Sequence, residues 1–333
     1  MKTRALGPNG PQVNPLGYGA MSFSDFYGPT DEAESHAMMD LLRDEGITHI
    51  DTANVYGMGK SEAAIGSYLR ANPGAKDQFT IATKATISRH PDTGERFFNN
   101  DPAHLEAELD KSLERLGLDC VDLFYAHRRN PDVAPEELAG ALGRLVEKGK
   151  TRAIGLSEVA PWTLRRAFAE HPVAAVQSEY SLWTRQPEMG LLQACAALGT
   201  AFVAFSPVGR SMLTDAPLSF AQAQEIPFLK ENPRFMQPHY DINTKAIDGL
   251  RALAAEMGVP TAGLAIAWVL AQGEHVIAIP GTRKLGHFRE YLAAEKIQLS
   301  AEDLARIETI LPVGFAYGDR YTAAQSVGPE RYC

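Results

Sequence analysis

The chain has 333 residues, enough for one large domain or two small ones. Apolar residues make up 45% and charged residues 22%, mean hydropathy is −0.20, and no uninterrupted apolar stretch is long enough to span a bilayer. The formal net charge of −9 argues against a nucleic-acid partner, which demands a basic face, and Met1 to Leu6 holds no apolar signal-peptide core. The expected protein is cytoplasmic, with neither membrane nor nucleic acid as a partner.

In chain order, residues 2–15 read as a β-hairpin, with Pro8-Asn9-Gly10 as turn chemistry. Leu16 to Gly19 is a short strand. From Asp31 the period changes: Ala33, Ala37, Met38, Leu41 and Leu42 share a helical face, which Thr30 can cap and Gly46 can end. Strands at 48–51, 79–84, 121–127, 151–157, 174–177, 201–205 and 276–279 then alternate with helices. The helices lie near 60–71, from Asp101-Pro102 to Gly117, from Pro135 to Gly149, from Pro161, around 188–198 and near 284–294.

Eight strands alternating with helices demand parallel pairing with helical crossovers. The length favours a closed (β/α)8 TIM barrel, taken as a single domain over 1–333. An open doubly wound sheet is the rival, but its Gly-x-Gly-x-x-Gly fingerprint fails: Gly17 and Gly19 are present and position 22 is Ser. Residues 206–243 hold five prolines with weak periodicity and read as a long lid or binding loop after strand 7, followed by extra helices near 244–257 and 260–271. A helix at 301–310 precedes an irregular tail from Pro312, which can cross either the active face of the barrel or its outside.

Some motifs mislead. Gly59-Lys60-Ser61 resembles the end of a phosphate-binding loop, but the first glycine that loop requires is replaced by Asn54. Gly155-Leu156-Ser157-Glu158-Val159 half-matches a nucleophile turn and fails at Val159. The nine histidines show no ligand spacing, so no metal is expected. Cys120, Cys195 and Cys333 form no metal or redox pair; the first two read as packing and Cys333 as an exposed thiol.

Four residues carry chemistry at or just past strand ends: Asp51, Tyr56, Lys84 and His127. Parallel neighbouring strands would bring this carboxylate, phenol, ammonium and imidazole to one cleft. With Gly155-Leu156-Ser157, Gln177-Ser178-Glu179-Tyr180, Phe205-Ser206-Pro207-Val208-Gly209-Arg210 and Ile279-Pro280-Gly281-Thr282-Arg283-Lys284, the chain resembles the aldo-keto reductase family over nearly its whole length. Phe26-Tyr27-Gly28-Pro29 and the Pro-Gly-Thr-Arg motif resemble the microbial and plant NADPH-dependent branch, which implies a monomer or weak homo-oligomer.

The resemblance implies reduction of aldehydes or ketones to alcohols with NADPH. Carbonyl reduction needs a hydride donor and a proton for the developing alkoxide. Tyr56 would be the general acid, Lys84 would lower its pKa, Asp51 would hold Lys84, and His127 would orient the substrate oxygen. Ser157 and Gln177 would bind the nicotinamide carboxamide, and Phe205 would stack on the ring. Ser206, Pro207, Val208, Gly209 and Arg210 would follow the pyrophosphate. Gly281, Thr282, Arg283 and Lys284 would hold the ribose 2′-phosphate at a helix start, with Glu290 near the adenine. Glu158 stands where many members carry Asn, and Tyr291 replaces another usual Asn. Phe23, Phe26, Tyr27, Arg128, Trp162 and Trp183 are the expected substrate pocket, suited to a moderately apolar carbonyl compound. Two other readings are a cofactor-sensing binding protein of the same fold with slow turnover, and a barrel lyase or aldolase using Lys84 as a Schiff base.

Overall fold

A computed structural model describes residues 3–90 and 92–332; Lys2 of the expected hairpin and the Cys333 thiol lie outside them. The hairpin pairs β1 (Arg4–Ala5) with β2 (Gln12–Val13) in antiparallel register. Leu6 and Val13 are buried among Ala174, Ala201 and Val203, so the hairpin plugs the N-terminal end of the barrel.

Eight strands form one parallel sheet: β3 (Tyr18–Gly19), β4 (His49–Asp51), β5 (Thr80–Ala85), β8 (Leu123–Ala126), β9 (Ile154–Ser157), β10 (Val173–Glu179), β11 (Ala201–Phe205) and β12 (Val276–Ile279). The pairs follow chain order, from β3 beside β4 to β11 beside β12. A parallel bridge between Leu16 and Ala278 closes the ring, with Gly17 N–H donating to Ala278 O at 2.8 Å and Ala278 N–H to Pro15 O at 2.8 Å. The expected TIM barrel is what forms. Most strands are buried on both faces, as helix-covered parallel strands require.

The outer layer consists of α1 (Glu32–Asp44), α2 (Lys60–Ala71), α3 (Pro102–Leu116), α4 (Pro135–Glu147), α5 (Pro161–Glu170), α6 (Leu191–Leu198) and α11 (Leu285–Leu292). Two of them, α1 and α3, begin with a side-chain cap that satisfies free N–H groups of the first turn. Asp101 accepts from Ala103 and His104 N–H at the start of α3, where Pro102 gives up no hydrogen bond. The start of α1 differs from the reading above. Asp31, not Thr30, caps it, accepting from Glu34 N–H at 2.7 Å, while Thr30 N–H donates to Asp25. A carboxylate one residue nearer the first turn supplies the acceptor.

Two departures concern loops. Beyond β5 the chain makes a small antiparallel hairpin, β6 (Ile87–Arg89) with β7 (Arg96–Phe98), that the sequence reading lacks. The stretch 206–243 is not bare loop: it contains α7 (Phe220–Glu225), α8 (Pro227–Lys230) and the first turn of α9 (His239–Glu256). Then come α10 (Thr261–Leu270) and α12 (Ala301–Ile310). No single helix among the described residues is long and apolar enough to cross a membrane. Cys195 is buried and Cys120 half-buried.

The tail beyond α12 crosses the end of the barrel where the strands terminate. Arg320 pairs with Glu158, just past β9, and Glu330 pairs with Arg129, just past β8. Arg96 on β7 donates to the carbonyl of Val327. The tail thus lies on the face that carries the strand-end residues.

Candidate active site

Asp51 ends β4, Lys84 lies near the end of β5 and His127 follows β8; these strands are neighbours in the sheet. Tyr56 sits in the turn after β4, where its N–H donates to Ala53 O. The four expected residues therefore meet at one end of the barrel. The Lys84 and Asp51 side chains are 0% and 2% exposed and joined by a direct ion pair. Lys84 Nζ also donates to Thr52 O at 2.7 Å, and Gln177 donates its amide N–H to Asp51 Oδ2 at 2.8 Å. An unpaired charge in this position would be costly to bury, so the pair and its hydrogen bonds hold the ammonium in one place.

Lys84 Nζ lies 5.1 Å from the centre of the Tyr56 ring, and the Tyr56 and His127 rings meet edge to face at 5.9 Å and 81°. Burial pushes the Tyr56 phenol above its usual pKa of 10.0, and the pull of Lys84 only offsets part of this. This reverses the expected net lowering: desolvation outweighs the ammonium, because Asp51 balances much of that charge. The phenol therefore keeps its proton at neutral pH and can donate it. Burial also holds His127 well below the ordinary imidazole value, helped by Arg128, Lys84 and Arg96. The imidazole is neutral at pH 7, a single N–H donor rather than an acid.

A groove of about 330 Å³ lies at the end of β12, at the same end of the barrel, lined in part by Gly19, Pro207, Arg210, Gly281, Arg283 and Tyr291. Its chemistry fits a dinucleotide. The chain turns through left-handed backbone at Ser206, Gly209, Arg210 and Ser211, and the N–H groups of Val208, Arg210 and Ser211 bond no partner among the described residues. At the far end α11 starts with no side-chain cap beside Thr282, Arg283 and Lys284, leaving N–H groups for an anion.

Other expected residues are placed less simply. Ser157 is buried and accepts from Arg128 Nη1 at 3.0 Å. Phe205 ends β11 half-buried against the inner cluster, and Val208 is buried beside the groove. Arg210 lines the groove but its guanidinium is held by Glu179 at 3.1 Å between the rings of Phe228 and Tyr321. Arg283 donates to the carbonyls of Tyr27 and Pro29, tying the loop before α1 across the groove. Phe26 reaches the same way and packs against Phe228 at 5.3 Å. Glu290 is half-buried on α11, while its neighbour Tyr291 is the one that lines the groove.

Two pocket candidates, Phe23 and Trp183, are buried in the packing instead. Phe23 is 2% exposed and packs on Tyr18 in the core. Trp183 is 4% exposed behind Phe235 and Arg234. Trp162, at the start of α5, is 46% exposed and lies between the guanidiniums of Arg129 and Arg166. For Phe23 and Trp183, aromatic packing claims a ring that the sequence leaves free. Tyr27 lines the groove, Phe26 is 40% exposed against Phe228, and Arg128 stands beside His127.

The sequence reading misses a buried ionic cluster above the strands. Glu158, in left-handed backbone at φ 58°, bonds Arg320 and accepts Glu179 N–H at 2.8 Å. Glu179 in turn bonds Arg210. The unusual Glu158 was the visible half of this cluster; its partner lies in an irregular tail with no periodicity to mark it.

Comparison with known proteins identifies the family. The family model described as the aldo/keto reductase family matches residues 15–312. A relative in Schizosaccharomyces pombe named aldo-keto reductase yakc [NADP(+)] is 36% identical over 96% of this chain and 94% of its own length. A probable aldo-keto reductase of Glycine max is 37% identical over 95% and 90%. The solved glycerol dehydrogenase from Gluconobacter oxydans superposes with a TM-score of 0.81 at 26% identity, covering 93% of this chain and 94% of that one. A thermostable aldo-keto reductase in complex with the inhibitor epalrestat gives 0.72 at 28% identity, covering 93% and 100%. With a family model spanning nearly the whole barrel and relatives alike from end to end, the chain belongs to the aldo/keto reductase family and is an oxidoreductase enzyme of that family.

Proposed function

We propose that the protein reduces aldehydes or ketones to alcohols with NADPH, Tyr56 giving the proton. The observation that carries this reading is the buried Lys84–Asp51 pair beneath the Tyr56 phenol, with neutral His127 at the ring's edge. When bound, the nicotinamide supplies a hydride to the carbonyl carbon. His127 donates its N–H to the carbonyl oxygen and fixes its direction. As negative charge builds on that oxygen, Tyr56 Oη transfers its proton to it. The phenolate that remains is stabilised by Lys84, which Asp51, Gln177 and the Thr52 carbonyl hold in place. In the oxidative direction the same phenolate accepts the proton.

The preference for a 2′-phosphate rests on Arg283 and Lys284 beside the uncapped start of α11. The NADP(+) in the name of the Schizosaccharomyces pombe relative points the same way. For Arg283 to take part, its guanidinium exchanges the carbonyls of Tyr27 and Pro29 for phosphate oxygens. Ser157, in register with Gln177 on the neighbouring strand, would bind the nicotinamide carboxamide.

The test is NADPH consumption with 4-nitrobenzaldehyde by wild type and Tyr56→Phe. A general acid contributes about 10²–10⁴-fold, so Tyr56→Phe should lose about that much of kcat while still binding NADPH. Equal turnover by the two proteins would remove Tyr56 from the mechanism. Tight NADPH binding without turnover across a panel of carbonyl compounds would overturn the reductase reading itself.

A further inference from the structure

The chain carries an excess of acid, yet cations without carboxylate partners gather beside His127. Nearby guanidiniums are mostly matched: Arg129 by Glu330, Arg210 by Glu179, Arg320 by Glu158. Arg128 and Arg96 are not. Among the described residues neither forms an ion pair with any carboxylate.

Arg128 is held in place by its backbone. Its N–H donates to Thr86 Oγ1 at 2.9 Å, and its carbonyl accepts from Thr86 Oγ1 at 2.9 Å and from Asn100 Nδ2 at 3.1 Å. Thr86 makes both bonds from φ 114°, a conformation that a β-branched residue rarely adopts. The guanidinium is fixed through Nη1, which donates to His127 O and to Ser157 Oγ. Nη2 donates to no group among the described residues, and Nε is buried without a partner.

Arg96 stands on the β7 strand, its guanidinium 5.4 Å from the Phe98 ring and bonded through Nη2 only to tail carbonyls. Its positive charge and that of Arg128 both act on the His127 imidazole, and Arg128 also acts on the Tyr56 phenol. Arg128, its Nη1 bridging the His127 carbonyl and Ser157 Oγ, lies beside the place where a carbonyl would sit, and Arg96 adds a second positive charge to the same region. A planar guanidinium with free donors beside a second one matches a carboxylate better than a neutral group.

We infer that Arg128, seconded by Arg96, forms an anion subsite, and that the preferred substrate is an aldehyde or ketone bearing a carboxylate a few bonds from its carbonyl. The substrate class rests on the reductase reading; the anion subsite does not.

The test compares 4-carboxybenzaldehyde with its neutral counterpart, methyl 4-formylbenzoate, by kcat/KM with NADPH. Wild type should favour the acid by roughly 10- to 100-fold, mostly through KM, the range of a charged hydrogen bond. Added salt should shrink the preference. Arg128→Gln and Arg96→Gln should each reduce the acid-to-ester ratio, and Arg128→Lys should keep part of it. An ester reduced as well as the acid by wild type, or a ratio that neither Gln variant changes, would overturn the inference while leaving the reductase intact. If neither aldehyde is turned over, calorimetric titration with benzoate and benzamide in the presence of NADP+ decides. Benzoate binding that is weakened in both Gln variants supports the subsite; equal affinity for benzoate and benzamide removes it.

Discussion

At the scale of single residues, Tyr56 and His127 are pushed in opposite directions by the same burial. The phenol rises above 10.0 and the imidazole falls well below 6.5, so the productive pair, protonated phenol and neutral imidazole, spans the whole interval between. For carbonyl reduction, kcat/KM should therefore stay level from about pH 6.5 to about pH 10 and fall only above it, as the phenol loses its proton. A pH–rate profile checks this. An acid limb near 6.5 that disappears in His127→Gln would show that the imidazole titrates normally. Strand-end positions set by local pattern brought Asp51, Lys84 and His127 to one face, but the resemblance to a known family is what marked these residues and Tyr56 as the catalytic candidates. Arg320 was not legible, because what places it is Glu158, 162 positions earlier in the chain.

Between elements, α2 and α3 show packing overruling propensity. Gly66 lies inside α2, where alanine would normally gain about 1 kcal/mol. A Cβ there would fall 2.1 Å from the Arg115 carbonyl oxygen on α3. Gly66→Ala should therefore destabilise, by about 1–3 kcal/mol as overpacking does, read as a lower urea midpoint with an unchanged slope. A midpoint that rises would mean the helices part easily. The helices themselves were readable from their apolar stripes and caps. The β6–β7 hairpin was not, since two three-residue strands give too little alternation to register. The proline-rich 206–243 stretch was half readable: Pro227 and Pro233 mark breaks, but both also open short helices, where a missing N–H costs nothing.

Over the whole molecule, the closed barrel was legible because eight repeats of strand and helix leave few topologies. The path of the tail was not, because it is fixed by side chains rather than by secondary structure. Glu330 accepts from Arg129 Nε at 2.5 Å, Ala160 N–H at 2.8 Å and Thr163 Oγ1 at 2.6 Å. Arg129 and Glu330 side chains are 7% and 12% exposed. Glu330→Ala leaves a buried guanidinium unpaired and should cost about 3–5 kcal/mol, with the tail becoming the first site of limited proteolysis. A thermal midpoint equal to wild type would show that the tail adds no stability to the barrel.

The closing strand, β3, is only two residues long, so the ring is joined there by a handful of amides: Gly17 to Ala278, Ala278 to Pro15, and Gly19 to Pro280. The groove proposed for the dinucleotide lies astride that join, touching Gly19 on one side and Ile279, Pro280 and Gly281 on the other. A ligand there acts as a clasp on the weakest link of the ring. In hydrogen–deuterium exchange, the amides of Gly17, Gly19 and Ala278 should exchange faster than that of Val203 in the middle of the sheet. NADPH should slow the first three and leave the fourth alone. Catalytic occupancy and mechanical closure of the barrel would then be the same event, seen from two sides.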